Sequence, residues 1–290
     1  MSAAARGPVQ AAGEVLTVKR AGAYRHLTLV APGVAERFRP GAVVALRIGG
    51  ARSDRLLRRT FAIYRARPTG AYGGTVEVLF AVDGPGTDWL AKASPGTAVD
   101  VVGPLGRPYA LPKEPVACTL VGEGHRSASL FGLAERLRER GCGVHMVLGA
   151  PTESMLFGVL DARRAAKTVV VATEDGSVGI QGRVSDVLPD LLARTGTDVV
   201  YASGSSDMLH AVAQAAELQG AWSQTAVDVP MPCGTGVCLS CVLPVVGEDG
   251  VTRMARACTE GPVFRGDRVR WGDLESVPPD TWGAGSGAAR

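Results

Sequence analysis

The first third of the chain is built from short runs in which apolar and polar residues alternate. They are Glu14–Val18, Tyr24–Val30, Ala42–Ile48, Thr60–Arg65, Thr75–Val82 and Ala98–Val102, separated by Gly- and Pro-containing turns. A period of two puts every second side chain on one face, which is the pattern of a half-buried strand. Six such runs with little helical pattern between them predict a small antiparallel barrel.

The pattern changes after Pro112. Ala117–Val121, Val144–Leu148, Thr168–Ala172 and Val199–Ala202 are apolar without alternation, as strands buried on both faces are. Between and after them, Ser127–Arg140, Val184–Leu192 and Ser206–Glu217 carry helical periodicity. Apolar strands alternating with helices predict a parallel sheet covered on both sides, a nucleotide-domain layout that does not by itself demonstrate a nucleotide. From about Gln224 to Ser276 the chain is cysteine-rich and poor in helical signals. The expected organisation is a β-barrel over 13–112, an α/β domain over 113–222, a cysteine module over 223–275 and a flexible tail over 276–290.

Composition narrows the function classes. The 290 residues are 46% hydrophobic and 20% charged, with a net charge of +3. That charge is too small to argue for nucleic acid or a membrane surface as partner. No apolar run approaches bilayer length, and Met1–Val18 lacks the features of a secretory signal, so a cytoplasmic protein is expected.

The six cysteines carry the sharpest signal. Cys233, Cys238, Cys241 and Cys258 are spaced C-x4-C-x2-C with a more distant fourth, as in plant-type [2Fe–2S] ferredoxins. Thiolates are soft donors suited to such clusters. Gly234 and Gly236 allow the backbone to wrap closely and aim N–H groups at sulfur. A structural zinc site is the competing reading of the same cysteines, although zinc usually takes paired C-x2-C knuckles. Cys118 and Cys142 stand apart beside apolar runs and read as small buried hydrophobes.

The barrel region resembles the FAD-binding barrel of the ferredoxin–NADP reductase superfamily. The resemblance rests on Arg58-Arg-Thr-Phe-Ala62, Leu79-Phe-Ala81, Gly84-Pro-Gly-Thr-Asp88 and Gly103-Pro-Leu-Gly106. It implies that Arg59 and Thr60 begin a flavin-binding strand, with the Arg59 guanidinium on the FAD pyrophosphate. Phe61 and Ala62 would lie along the isoalloxazine, and Leu79, Phe80 and Ala81 would line it. Gly86 and Thr87 would offer N–H groups at a helix start. Ala62 stands where the superfamily usually has Ser.

Over Gly13 to Asp273 the chain resembles the electron-transfer subunit of type B dihydroorotate dehydrogenase. Besides the cysteines and the Arg59 strand, Thr173-Glu-Asp-Gly-Ser177, Gly182 and Gly204-Ser-Ser-Asp-Met-Leu209 carry the likeness. It implies FAD, a [2Fe–2S] cluster, NAD(H) as hydride partner, and a separate FMN-containing dihydroorotate-type dehydrogenase subunit in a hetero-oligomer. No catalytic residue is expected in this chain, because substrate oxidation would belong to the partner.

Two segments depart from that family. Gly122-Glu-Gly-His-Arg-Ser-Ala-Ser129 replaces a glycine-rich phosphate loop, and Ala202-Ser-Gly-Ser205 replaces a Cys-Gly-Pro turn. Glu123 would set a carboxylate near a pyrophosphate, while His125 and Arg126 offer a different anion contact or simply a surface or capping role. A relay serving another oxidoreductase, with the NAD site lost, therefore stays open, as does a non-redox zinc protein. Arg253, Arg256, Arg265, Arg268 and Arg270 surround Cys258 and read first as a solvated charged face, with steering of an acidic partner as the sharper reading. Glu174 and Asp175 read as turn residues.

Overall fold

The computed structural model describes residues 7–50, 53 and 55–284. Six strands come first: β1 (Val9–Ala21), β2 (Tyr24–Val30), β3 (Val43–Leu46), β4 (Arg59–Arg67), β5 (Thr75–Phe80) and β6 (Ala98–Leu105). They close into an antiparallel barrel in the order β1-β2-β5-β4-β3-β6. Two short helices, α1 (Pro32–Ala35) and α2 (Pro85–Ala91), interrupt the run. The interior is filled by the inward residues of the alternating runs, among them Val15, Leu27, Leu29, Ile63, Val76 and Val78, all fully buried.

Strand β3 shows why alternation fails locally. Val43-Val-Ala-Leu46 is buried at every position. Val44 and Leu46 face the barrel core, whereas Val43 and Ala45 pack outward with Leu105 and Met231. The outer face of β3 is thus covered by the cysteine module. Fully burying each such large side chain contributes roughly 1.5–3 kcal/mol.

The second unit contains β7 (Ala117–Glu123), α3 (Ala128–Glu139), β8 (Gly143–Ala150), α4 (Val159–Ala165), β9 (Thr168–Thr173), β10 (Ile180–Gln181), α5 (Val184–Thr195), β11 (Val199–Ser203), α6 (Ser206–Leu218) and β12 (Trp222–Ala226). Its strands are parallel. Neighbouring residues serve opposite faces: Leu120 and Met146 pack with α3, Val121 and Val147 with α5 and α6. This explains the unbroken apolar runs.

The last strands are β13 (Val242–Val246), β14 (Thr252–Arg256) and β15 (Val263–Arg265). The first two form a hairpin, and β15 joins the large sheet antiparallel to β12, giving the order β10-β9-β8-β7-β11-β12-β15. The expected division at 222/223 therefore falls inside β12, and the cysteine segment returns a strand to the sheet. The expected tail also starts too early. Asp280 pairs with Arg270 at 2.6 Å, and the Trp282 N–H donates to the Thr252 carbonyl at 2.8 Å. Residues 276–284 are tied to the module, and 285–290 lie outside the described residues. Among the described residues no helix is long and apolar enough to cross a membrane.

Barrel and sheet are joined by specific bonds. The Gln224 side chain accepts from the Ala110 N–H at 2.8 Å and donates to the Ala110 carbonyl at 2.9 Å. Tyr24 and Tyr64 cross from the barrel to Met155 and Asp161.

Candidate functional site

A cleft of about 640 Å³ lies between barrel, sheet and cysteine module. It falls within the range of roughly 300–1,000 Å³ usual for cofactor and ligand sites. Strand β4 supplies Arg59, Thr60, Phe61 and Ala62, strand β5 and its exit supply Leu79, Phe80 and Ala81, and α2 supplies Thr87. The Phe61 and Phe80 rings pack at 5.4 Å. Gly86 is not part of the cleft wall, but it meets Arg59: a Cβ there would lie 2.9 Å from Arg59 Nε.

The two adjacent arginines have different environments. Arg58 Nη1 pairs with Asp100 Oδ1 at 2.9 Å and also donates to the Asp100 carbonyl, so it braces β6. Arg59 Nη1 donates only to the carbonyls of Leu57 and Arg58, and among the described residues no carboxylate pairs with it. A guanidinium without a counter-charge beside a close-packed glycine and the first turn of a helix fits a phosphate group. Thr87 is spent on the turn itself. Its hydroxyl donates to Asp83 Oδ1 at 2.8 Å and accepts from the Gly84 N–H at 3.1 Å.

The opposite wall was not foreseen from the sequence. It is Ala226 to Pro232, with Ser203, His125 and Arg126. The stretch Asp228-Val-Pro-Met-Pro232 had no motif to mark it, yet it leads directly into Cys233. Thr60 Oγ1 donates to the Met231 carbonyl at 2.8 Å, fastening β4 to this stretch.

The four cysteines come together in one module. Cys241 and Cys258 are buried with sulfurs 3.3 Å apart, Cys233 is half-buried and Cys238 exposed. A two-iron cluster takes two thiolates per iron, so it needs pairs rather than one point of convergence. Among the described residues no three metal-binding side chains surround one point as a single ion requires. Burial and the contact with Cys241 push the Cys258 thiol up to about 12. At Cys233 burial also raises the thiol, but the N–H groups of Cys238 and Thr235 outweigh it and bring it down to about 6.

The loop is shaped by two glycines with left-handed φ. Gly234 (φ +69°) lies on the barrel, where a Cβ would be 2.9 Å from Leu105 Cδ1. Gly236 (φ +82°) packs equally closely on Thr259. Both positions exclude a side chain for steric and torsional reasons.

Other sequence candidates are placed more simply. Cys118 and Cys142 are buried, and burial pushes the Cys118 thiol up to about 12, as suits inert thiols. Asp175 accepts from the Ser177 N–H and hydroxyl, a turn role. All five arginines around Cys258 are engaged by acids: Arg253 with Asp249, Arg256 with Glu260, Arg265 and Arg268 with Asp267, and Arg270 with Asp273 and Asp280. His125 lies against the Tyr24 ring at 5.0 Å and Arg126 pairs with Asp228 at 2.5 Å. Glu123 accepts from the Ser205 N–H at 2.8 Å at the start of α6.

A closed barrel and a parallel sheet sharing a cleft, with a four-cysteine module beside it, define a reductase-type electron-transfer protein. Comparison with known proteins narrows the class. Residues 230–270 match the family described as the iron-sulfur cluster binding domain of dihydroorotate dehydrogenase B. The electron transfer subunit of dihydroorotate dehydrogenase B (NAD(+)) from Geobacillus thermodenitrificans is 34% identical over 84% of this chain and 91% of its own length. The corresponding subunit from Bacillus caldolyticus is 36% identical over the same shares. The chain belongs to this family of dihydroorotate dehydrogenase B electron transfer subunits.

A solved NADH-dependent reduced ferredoxin–NADP oxidoreductase, studied for flavin-based electron bifurcation, is also similar. It aligns with a TM-score of 0.79 at 29% identity, covering 91% of this chain and 92% of its own. The cytochrome b5 reductase domain of Ulva prolifera nitrate reductase shares the fold alone, at a TM-score of 0.59 and 14% identity.

Proposed function

We propose that this chain relays electrons between FAD in the interdomain cleft and a [2Fe–2S] cluster on Cys233, Cys238, Cys241 and Cys258. It acts as the electron-transfer subunit for a separate FMN-containing, dihydroorotate-type dehydrogenase subunit. One observation carries the reading: the cleft wall opposite Arg59–Ala62 is the stretch 229–232 that runs into Cys233, and Thr60 is hydrogen-bonded across to it. A redox cofactor in the cleft therefore sits next to the cysteine loop.

When bound, flavin exchanges electrons in pairs or singly, and the cluster carries them singly. The chain's own residues do the holding. Arg59 sets its guanidinium on the pyrophosphate, with the N–H groups of Gly86 and Thr87 as neighbouring donors. Phe61, Ala62, Leu79, Phe80 and Ala81 offer an apolar wall to the ring system and exclude water from it. Because Ala62 has no hydroxyl, only backbone groups of β4 can bond the ring edge there. Cys241 and Cys258 form a buried pair, and Cys233 and Cys238 an outer pair nearer the cleft wall and solvent. The cytoplasm is the compartment this reading assigns, since reduced thiols and clusters persist there.

The test is chemical analysis of the purified protein with its visible spectrum. FAD with iron and acid-labile sulfide in equal amounts is the expected result. A colourless protein holding zinc without sulfide would overturn it.

A further inference from the structure

Outside the carboxyl ends of β7 and β11 the sheet order reverses, with β8 on one side of β7 and β11 on the other. In open α/β sheets ligands enter at such a switch point. Here β7 ends on Glu123, and Glu123 Oε2 accepts from the Ser205 N–H at 2.8 Å. The side chain lies against the β11–α6 turn: a Cβ on Gly204 would be 3.0 Å from Glu123 Cβ. The amide at the start of α6 already holds an anion, and that anion is part of the protein.

The crevice that remains is about 210 Å³, below the usual range for ligand pockets. Glu123, Glu174 and Asp207 line it, and Arg183 is the single basic residue among its described lining residues. The nearby cation Arg126 pairs with Asp228, and His125, whose burial lowers its pKa and favours the neutral ring, lies against Tyr24. The loop itself is drawn shut. Ser127 Oγ donates to the Gly124 carbonyl at 2.7 Å, and Ser203 Oγ donates to the Arg126 carbonyl at 2.9 Å. The residues present do not fit a dinucleotide, whose pyrophosphate would have to displace Glu123 and sit among carboxylates.

We propose that Glu123 bars NAD(H) from this crevice. This rests on the flavin relay proposed above. Like charges about 5 Å apart near a protein surface repel strongly enough that removing one carboxylate should tighten dinucleotide binding by about ten- to a hundredfold.

The experiment measures NADH binding to the holoprotein by equilibrium dialysis, which needs no electron transfer, for the wild type, Glu123→Gln and Glu123→Gly. The wild type should not saturate at about 1 mM NADH. Glu123→Gly should bind at least about tenfold tighter, with Glu123→Gln between them because it keeps the bulk and loses the charge. Micromolar binding by the wild type, or equal binding by all three, overturns the proposal. Dithionite titration of the same samples addresses the underlying relay separately: failure of flavin or cluster to take up electrons counts against the relay, whatever the dialysis shows.

Discussion

The assignment of Arg59 to a phosphate can be tested at a residue that is not in the cleft wall. Gly86 sits in the helical first turn of α2 with no left-handed φ, so an alanine there strains no backbone. Its Cβ would arrive 2.9 Å from Arg59 Nε and 3.3 Å from Cγ and Cζ. Those atoms belong to a flexible side chain, which can swing away. Glycine to alanine inside a helix gains up to about 1 kcal/mol. Folding stability should therefore change by less than about 1 kcal/mol in either direction. Flavin binding should respond differently, because the guanidinium that swings away is the one proposed to hold the pyrophosphate. A hydrogen bond to a charged group contributes about 1.5–3 kcal/mol, or a roughly ten- to hundredfold weaker FAD Kd.

The assay is recovery of FAD fluorescence on dilution, with Tm read on the same samples. Because both changes act through one side chain, Gly86→Ala should cost almost nothing more in an Arg59→Ala background. Additive losses in the double variant, or an FAD Kd unchanged by Gly86→Ala, would refute the placement of Arg59.

Other outcomes follow from the same geometry. Cys238→Ser removes an exposed cysteine of the proposed ligand set and should abolish the iron–sulfur absorbance while FAD remains; a full cluster in that variant would dismiss the ligand set. Gly158→Ala meets both a left-handed φ of +76° and the Phe131 ring at 2.2 Å, so a loss of about 2–5 kcal/mol is expected in denaturant melts. Glu77 is buried and pairs with His26 Nε2 at 2.9 Å; that hydrogen bond, against the opposing effect of burial, holds its carboxyl below the ordinary 4.5. A depressed carboxyl stabilises the fold above its unfolded value, and this contribution is lost as pH falls through the folded one. The Tm difference between wild type and Glu77→Gln should accordingly shrink below about pH 4.5, and a difference that persists at lower pH would show that Glu77 is not the titrating group.

Much of this protein could be read along the chain because the relevant physics is local. Alternation marks strands with one wet face, continuous apolar runs mark strands buried on both, and each depends only on the residue and its neighbours. The cysteine spacing is similarly local for Cys233, Cys238 and Cys241, since a short glycine loop alone brings them together. Arg59 and the Gly86–Thr87 turn were legible through resemblance rather than through pattern, because a lone arginine before a strand carries no signal of its own.

What the chain order concealed was every relation between distant segments. Val43 and Ala45 gave no hint that β3 is covered outside as well as inside, because one of the covering residues, Met231, comes some 190 positions later. Trp222–Ala226 and Val263–Arg265 are short segments whose pairing partner lies far away, so no local period revealed that they complete the sheet. Arg58 and Arg59 are equivalent in sequence, and only Asp100 on β6, two strands from β4 in the barrel, gives Arg58 a carboxylate partner that Arg59 lacks among the described residues. The role of Glu123 is the clearest case. In sequence it is a charge misplaced in a phosphate loop, whereas in the fold it is the acceptor for the Ser205 amide. A hydrogen bond joining residues 82 positions apart depends on closure of the whole sheet, and that is set by packing, which no short window of sequence contains.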